Sequence, residues 1–469
     1  MSVTSSTLAA VPRATVARLF VLSLWAGLFC LLPVAALCGG MAFVIIVLAA
    51  GLAVLVWSRP KEAASAGVLF LIACNVFFPT SARYGWAWRD YEPWQMQYWA
   101  LGLLIITLAA AARIGIGVLW RIPASVKAIL LVSALATLVG FARGNAASFI
   151  IRQLYGSLLL VAYFAFAYHA GDEELFLRRL RKFGLLCAGA FFVYYAAEFT
   201  EYGFHKEITN LGTLEGGVAI LCFAKGLAEK RRGWMVSALV LMAVPFLLFE
   251  RKMLITFTVA GALALAIKTS SRKARYLYVG FAVLTMLPGM LVSSAGFVLE
   301  KMEESIPGIT DLLPGGGADV YSLTERTIQL GVSVEVLGRS PAVGEGFGAE
   351  ISWDRPHIQE FVQQAYIDNG WAYVAVKMGG LGLLVFIWFL ATTLRCVSPR
   401  SLGLSACLLS MLLVTMFSEP VFLNFNSSCL LGAMAGLLCA RKARELKAKV
   451  PAVFPVGCLA LQPERPKGI

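Results

Sequence analysis

The sequence predicts an all-α, polytopic helical membrane protein of about 14 transmembrane helices (12–14) with one large external loop containing short helices. Three observations carry that reading. Apolar runs near 20 residues, the length that crosses a bilayer's hydrocarbon core, recur along the chain. Of the 469 residues 59% are hydrophobic and only 14% charged, and the mean hydropathy is +0.77, far from the soluble average. One polar interruption is long, residues 300–376.

The predicted spans fall at 17–37, 41–57, 65–80, 97–112, 128–142, 149–168, 183–200, 211–228, 234–249, 253–267, 276–298, 378–394, 402–418 and 421–439. The first follows Arg13 and Arg18 and runs to Leu37, with Cys38 next. A lipoprotein signal needs a small residue before that cysteine, and Leu37 is not small, so this helix is expected to be retained.

Charge alternation sets the orientation. With the N-terminus cytoplasmic, the cytoplasmic segments hold Arg13, Arg18, Arg59, Lys61, Arg113, Arg121, Lys127, the 178–182 and 230–232 clusters, Lys268, Arg272, Lys273, Arg275, Arg395, Arg400 and the tail after Cys439. That makes 27 of the 40 Lys and Arg, a strong positive-inside bias. Both termini are therefore expected inside. The organisation read from this is 1–299 with eleven transmembrane helices, 300–377 as an external loop domain, 378–440 with three more helices, and 441–469 as a basic tail on anionic membrane lipid. Trp86, Trp88, Tyr91, Trp94 and Tyr98 cluster at an external loop, as membrane-interface anchors or as surfaces for stacking sugars.

The formal charge of +13 is thus topological and does not mark a nucleic-acid partner. Residues 300–365 carry 11 acidic side chains against Lys301, Arg326, Arg339 and Arg355. The ten Cys are scattered, with none in 300–376, and the three His (His169, His205, His357) lie far apart. That spacing gives no disulfide framework and no metal site, and no cofactor is expected.

Within the insert, Ser322-x-x-Glu325 has capping-box spacing and opens a helical period that should stop near Gly338, ahead of Pro341. Arg326 would then lie in the first turn, where free N–H groups and a guanidinium make an anion site. Gly344-Glu345-Gly346-Phe347-Gly348 has no preceding strand and reads as a flexible, backbone-exposing turn. Pro356 suits a helix start, and 357–376 reads as a helix at the membrane surface. On one straight helix His357 and Asp368 would share a face but stand ~16 Å apart, so either the helix breaks or only one of them is the base. Arg251, in Glu250-Arg251-Lys252 between two spans, is a boundary cation on the external side, a functional candidate by default.

These features resemble the O-antigen ligase and O-antigen (exopolysaccharide) polymerase superfamily of bacterial membrane proteins. The resemblance covers about 245–395 and rests on Phe249-Glu250-Arg251-Lys252, on the Arg326 helix running into Pro341-x-x-Gly344-x-Gly346, and on Asp368-Asn369 followed by Gly379 and Gly382. The chain has Glu250 where the family's Ser-Arg motif has Ser, and Asp368 where ligases have His, which is closer to the polymerases. The resemblance implies a multi-pass protein of the bacterial inner (cytoplasmic) membrane with a periplasmic loop. It implies a metal-independent glycosyltransferase whose donor is a polyprenyl-pyrophosphate-linked glycan. Arg251 and Arg326 would grip the pyrophosphate, Asp368 or His357 would serve the acceptor hydroxyl, and Asn369, Lys252, Gly344 and Gly346 would support them. A chain-length regulator and other polysaccharide-assembly proteins are implied partners. A ligase joining the glycan to lipid A–core or another acceptor is the near alternative. A transporter or flippase of lipid-linked glycan is the alternative of another class, and it would show charges deep in spans and discontinuous helices.

Overall fold

The computed structural model describes residues 41–77, 98–202, 211–247, 251–284, 317–355, 360–364, 367, 369–414 and 425–449. They form a helical bundle of α1 (Met41–Ser58), α2 (Ala63–Phe77), α3 (Tyr98–Ile114), α4 (Ala124–Ala142), α5 (Ala147–Ala170), α6 (Glu173–Tyr202), α7 (Leu211–Glu229), α8 (Arg232–Leu247), α9 (Arg251–Lys268) and α10 (272–284). The insert contributes α11 (Gly317–Arg339) and an antiparallel hairpin of β1 (Ile351–Arg355) and β2 (Glu360–Gln364). α12 (Gly370–Leu394), α13 (Leu402–Leu413) and α14 (Phe425–Lys449) complete it. The predicted span at 17–37 lies outside the described residues.

Among the described residues, α4, α5 and α12 are long and apolar enough to cross a membrane, and five shorter helical stretches are also apolar. One buried cluster runs from Ile45 through Phe164 to Cys439, so these helices share a continuous core. α14 packs closely on α5 because Gly432 and Gly436 recur at small-xxx-small spacing. A Cβ on Gly432 would stand 2.3 Å from the Leu160 carbonyl oxygen, and one on Gly436 2.4 Å from that of Phe164.

Polar side chains tie the helices together at one end. Glu62, fully buried, accepts from Arg179 Nε and Nη2 at 2.9 and 2.7 Å. Lys225 pairs with Glu174 and Glu229 at 2.8 and 2.7 Å. Arg181 donates to Ser237 Oγ and the Gly233 carbonyl and lies over the Trp234 ring. Arg441 reaches Glu173, Ser401 Oγ and the Arg400 carbonyl. Arg179, Arg181 and Arg441, three of the basic residues that the sequence assigns to one side, thus all bond between helices, and Arg441 turns into the bundle.

The insert differs from the sequence reading in two ways. α11 opens at Gly317, not at Ser322, because Ala318, Asp319 and Val320 continue the helix backwards; it ends at Arg339, as Gly338 and Pro341 predict. The helix expected over 357–376 is a strand at 360–364 followed by a helix starting at Gly370. Ile351 pairs with Gln364 and Trp353 with Val362, and Ile351 and Trp353 are buried while Ser352 between them is exposed. That alternation is the strand period, and it prevails over the helix-start signal of Pro356.

Candidate functional site

At the end of the bundle opposite the ion pairs, residues 340–349 enter between α4, α5 and α12. Main-chain bonds hold them. The Glu345 amide donates to the Val376 carbonyl at 2.7 Å, and the Gly380 and Leu381 amides donate to the Pro341 and Ala342 carbonyls at 2.7 and 3.1 Å. The Phe347 amide donates to the Ala136 carbonyl at 2.9 Å. Ala136 is six residues before the end of α4, so the segment reaches ~9 Å below that end.

This penetration requires glycine. Gly346 has φ +83, and a Cβ there would stand 2.2 Å from the Gly140 amide nitrogen; Gly379 has φ +64, and its Cβ would meet Ala342 at 2.5 Å. Gly379 also breaks α12, since its φ and ψ of 64 and −163 are not helical. The Pro341 and Ala342 carbonyls then receive the amides just past the break, so the interruption leaves those donors satisfied. The turn at Gly344–Gly348 is therefore buried and fixed, not flexible and exposed: Phe347 is fully buried, and Gly344, Gly346 and Gly348 are buried with it.

Side chains complete the anchorage. Asn145 Nδ2 donates to the Glu345 and Phe347 carbonyls at 3.1 and 2.9 Å, and Gln153 Oε1 accepts from the Gly348 amide at 2.7 Å. Lys377, fully buried beside the Tyr373 ring, donates to the Ala349 carbonyl. Above this anchor, Arg143 forms an ion pair with Glu345 and donates to Ser340 Oγ at 2.7 Å, while Ser340 donates to Glu345 Oε1 at 2.7 Å. A cleft of 440 Å³ opens here, lined by Arg143, Asn145, Arg339, Ser340, Glu345 and Glu350 with Val336 and Ala349. Gln363 of β2 donates to Glu350 Oε2 at 2.7 Å and orients that carboxylate.

Of the sequence candidates, Gly344 and Gly346 form the buried turn beneath this cleft. Asn369 is the N-cap of α12: its Oδ1 accepts from the Trp371 and Ala372 amides at 3.0 Å each, which gives it a structural task. Arg251 and Lys252 open α9 and Arg326 belongs to α11, but their side chains lie outside the described residues, as do His357 and Asp368 altogether. The longer α11 removes one expectation. Arg326 is nine residues past Gly317, ~13 Å along the axis, so it does not sit beside the free N–H groups of the helix start. The hairpin likewise removes the single helix that was to carry both His357 and Asp368.

Sequence reasoning assigns no role to Arg143, Asn145, Gln153, Ser340, Glu345 or Glu350. The signal present in the sequence is Arg143-Gly144-Asn145, a lone basic residue in the short turn between two predicted spans. Compared with protein-family models and with curated proteins, the chain matches none.

Proposed function

We propose that the protein is a bacterial polysaccharide polymerase of the inner membrane, with fourteen spans and both termini cytoplasmic. It transfers a growing glycan from polyprenyl pyrophosphate to a hydroxyl of an acceptor lipid-linked repeat unit, on the face that bears the insert. The observation that carries this reading is the asymmetry of the bundle. One end is closed by ion pairs between helices, and the other holds an open polar cleft between α11 and the ends of α4 and α5. Lipid-linked glycans are presented at a membrane face, so a polar cleft above span-length helices suits them.

In the proposed step the acceptor oxygen attacks the anomeric carbon, the bond from that carbon to the pyrophosphate oxygen breaks, and the acceptor proton passes to Asp368 or His357. Polyprenyl pyrophosphate departs, its growing charge met by Arg251 and Arg326, and the anomeric centre inverts. The test is complementation in cells with Arg251→Ala, Arg326→Ala and Asp368→Ala, followed by glycan analysis. Loss of long chains with single repeat units still transferred is expected. Loss of all transfer would make the protein a ligase, and unchanged long chains in all three variants would remove the enzymatic reading.

A transporter of lipid-linked glycan is favoured by two observations: α12 is broken at Gly379, and Glu215 of α7 is fully buried with neither carboxylate oxygen hydrogen-bonded. In a transporter, the groups freed at a helix break are kept for ion or substrate. Here the Val376 carbonyl and the Gly380 and Leu381 amides are taken by the insert, which favours the enzyme. Movement of lipid-linked glycan across proteoliposomes by the purified protein alone would reverse that choice.

A further inference from the structure

We propose that the cleft at the foot of α11 is a binding site for the hydroxyls of an uncharged sugar ring, and that phosphate is excluded from it. The inference rests on the polymerase reading and assigns this cleft to the acceptor glycan. Its lining holds two guanidiniums, Arg143 and Arg339, and two carboxylates, Glu345 and Glu350. Arg143 and Glu345 neutralise each other, and Arg339 is shared with Glu335 one turn back on α11. Among the described lining residues a phosphate would meet carboxylates and no uncompensated cation, whereas anion sites present spare positive charge. Paired ions still offer directed donors and acceptors, and a ring of hydroxyls, each both donor and acceptor, matches that surface.

Size and rigidity agree. The cleft's 440 Å³ lies in the range of ~300–1,000 Å³ for small-molecule sites. The main chain beneath Glu350 is anchored where Lys377 donates to the Ala349 carbonyl, and the carboxylate itself accepts from Gln363, which favours one orientation of it. Val336 and Ala349 supply an apolar wall against which the C–H face of a sugar ring can lie.

The experiment uses the full chain in detergent, a panel of phosphate-free bacterial surface oligosaccharides, and inorganic pyrophosphate. Glu350→Gln and Arg339→Gln alter exposed side chains and are expected to fold normally, with melting temperatures within a few degrees of the parent. The parent should bind members of the panel. Each variant should weaken that binding at least tenfold, and pyrophosphate should not compete. Pyrophosphate displacing the sugars, pyrophosphate binding that depends on Arg339, or sugar binding unchanged in both variants would overturn the proposal; so would the absence of any panel binding. The two readings fail separately. Long chains that depend on Arg326 without sugar binding at the cleft sink this inference alone. Sugar binding at the cleft with long chains that survive Arg251→Ala, Arg326→Ala and Asp368→Ala sinks the polymerase alone.

Discussion

The two ends of the bundle are joined by different chemistry. At one end the helices are tied by side chains: Arg179 to Glu62, Lys225 to Glu174 and Glu229, and Arg441 to Glu173. At the other the main chain takes a direct part, with residues 341–347 bonded to α4 and α12 through backbone groups and glycines where backbones touch, and side chains such as Asn145 and Gln153 only add to these ties. Side-chain ties tolerate small displacements because long side chains adjust. Main-chain ties in a close-packed site do not, because a single Cβ has nowhere to go. The difference teaches where rigidity is placed, namely beneath the polar cleft.

Substitutions that break this contrast should rank accordingly. Phe347→Ala empties the centre of the insert's anchor and is expected to cost about 3–5 kcal/mol, read as a fall in melting temperature of the purified protein. Gly140→Ala adds a methyl 2.2 Å from the Phe347 carbonyl oxygen on a helix that otherwise favours alanine. About 2–3 kcal/mol of destabilisation is expected, and hydrogen exchange should rise first in 341–349. Exchange rising evenly over the whole bundle would mean that the insert is not a separate unit of opening.

The side-chain end should respond less. Glu62→Gln keeps the shape of a buried group but removes the charge that Arg179 faces. Arg179 is 38% exposed, so about 2 kcal/mol is expected, below the ~3–5 of a fully buried pair, and chemical denaturation would measure it. Asn369→Ala removes the cap of α12 at about 1 kcal/mol, and restoration by Asn369→Asp would identify the loss as capping. Arg400→Ala breaks an exposed contact with Glu445 and should change stability by no more than ~0.5 kcal/mol. A larger effect would show that this end works as a coupled network.

Much of the helical layout was legible. The runs at 128–142, 149–168 and 402–418 overlap α4, α5 and α13 because apolar length and flanking charge are local properties. The hairpin is written in Ile351-Ser352-Trp353-Asp354, where apolar and polar residues alternate, but Pro356 beside it carries a competing helix-start signal. That Gly344–Gly348 turns is legible in its glycines, while its burial is not. Positive φ is written in glycine, but what packs against it comes from Gly140 and Gly379, some 200 residues before and 30 after. The cleft was illegible for the same reason: Arg143 and Glu345 meet only because the segment between Ser340 and Ala349 descends beside α4. Asn369, a supporting residue by the resemblance, also forms the cap of α12.

The break in α12 also bears on how such a chain is made and how it can be altered. Its amides after Gly379 find their acceptors in Pro341 and Ala342, which leave the ribosome nearly forty residues earlier. α12 cannot finish its own bonding until that earlier stretch has folded back beside it. The insert and the helix behind it are therefore one unit of inheritance, and transplanting the insert alone into a related bundle would strand those amides.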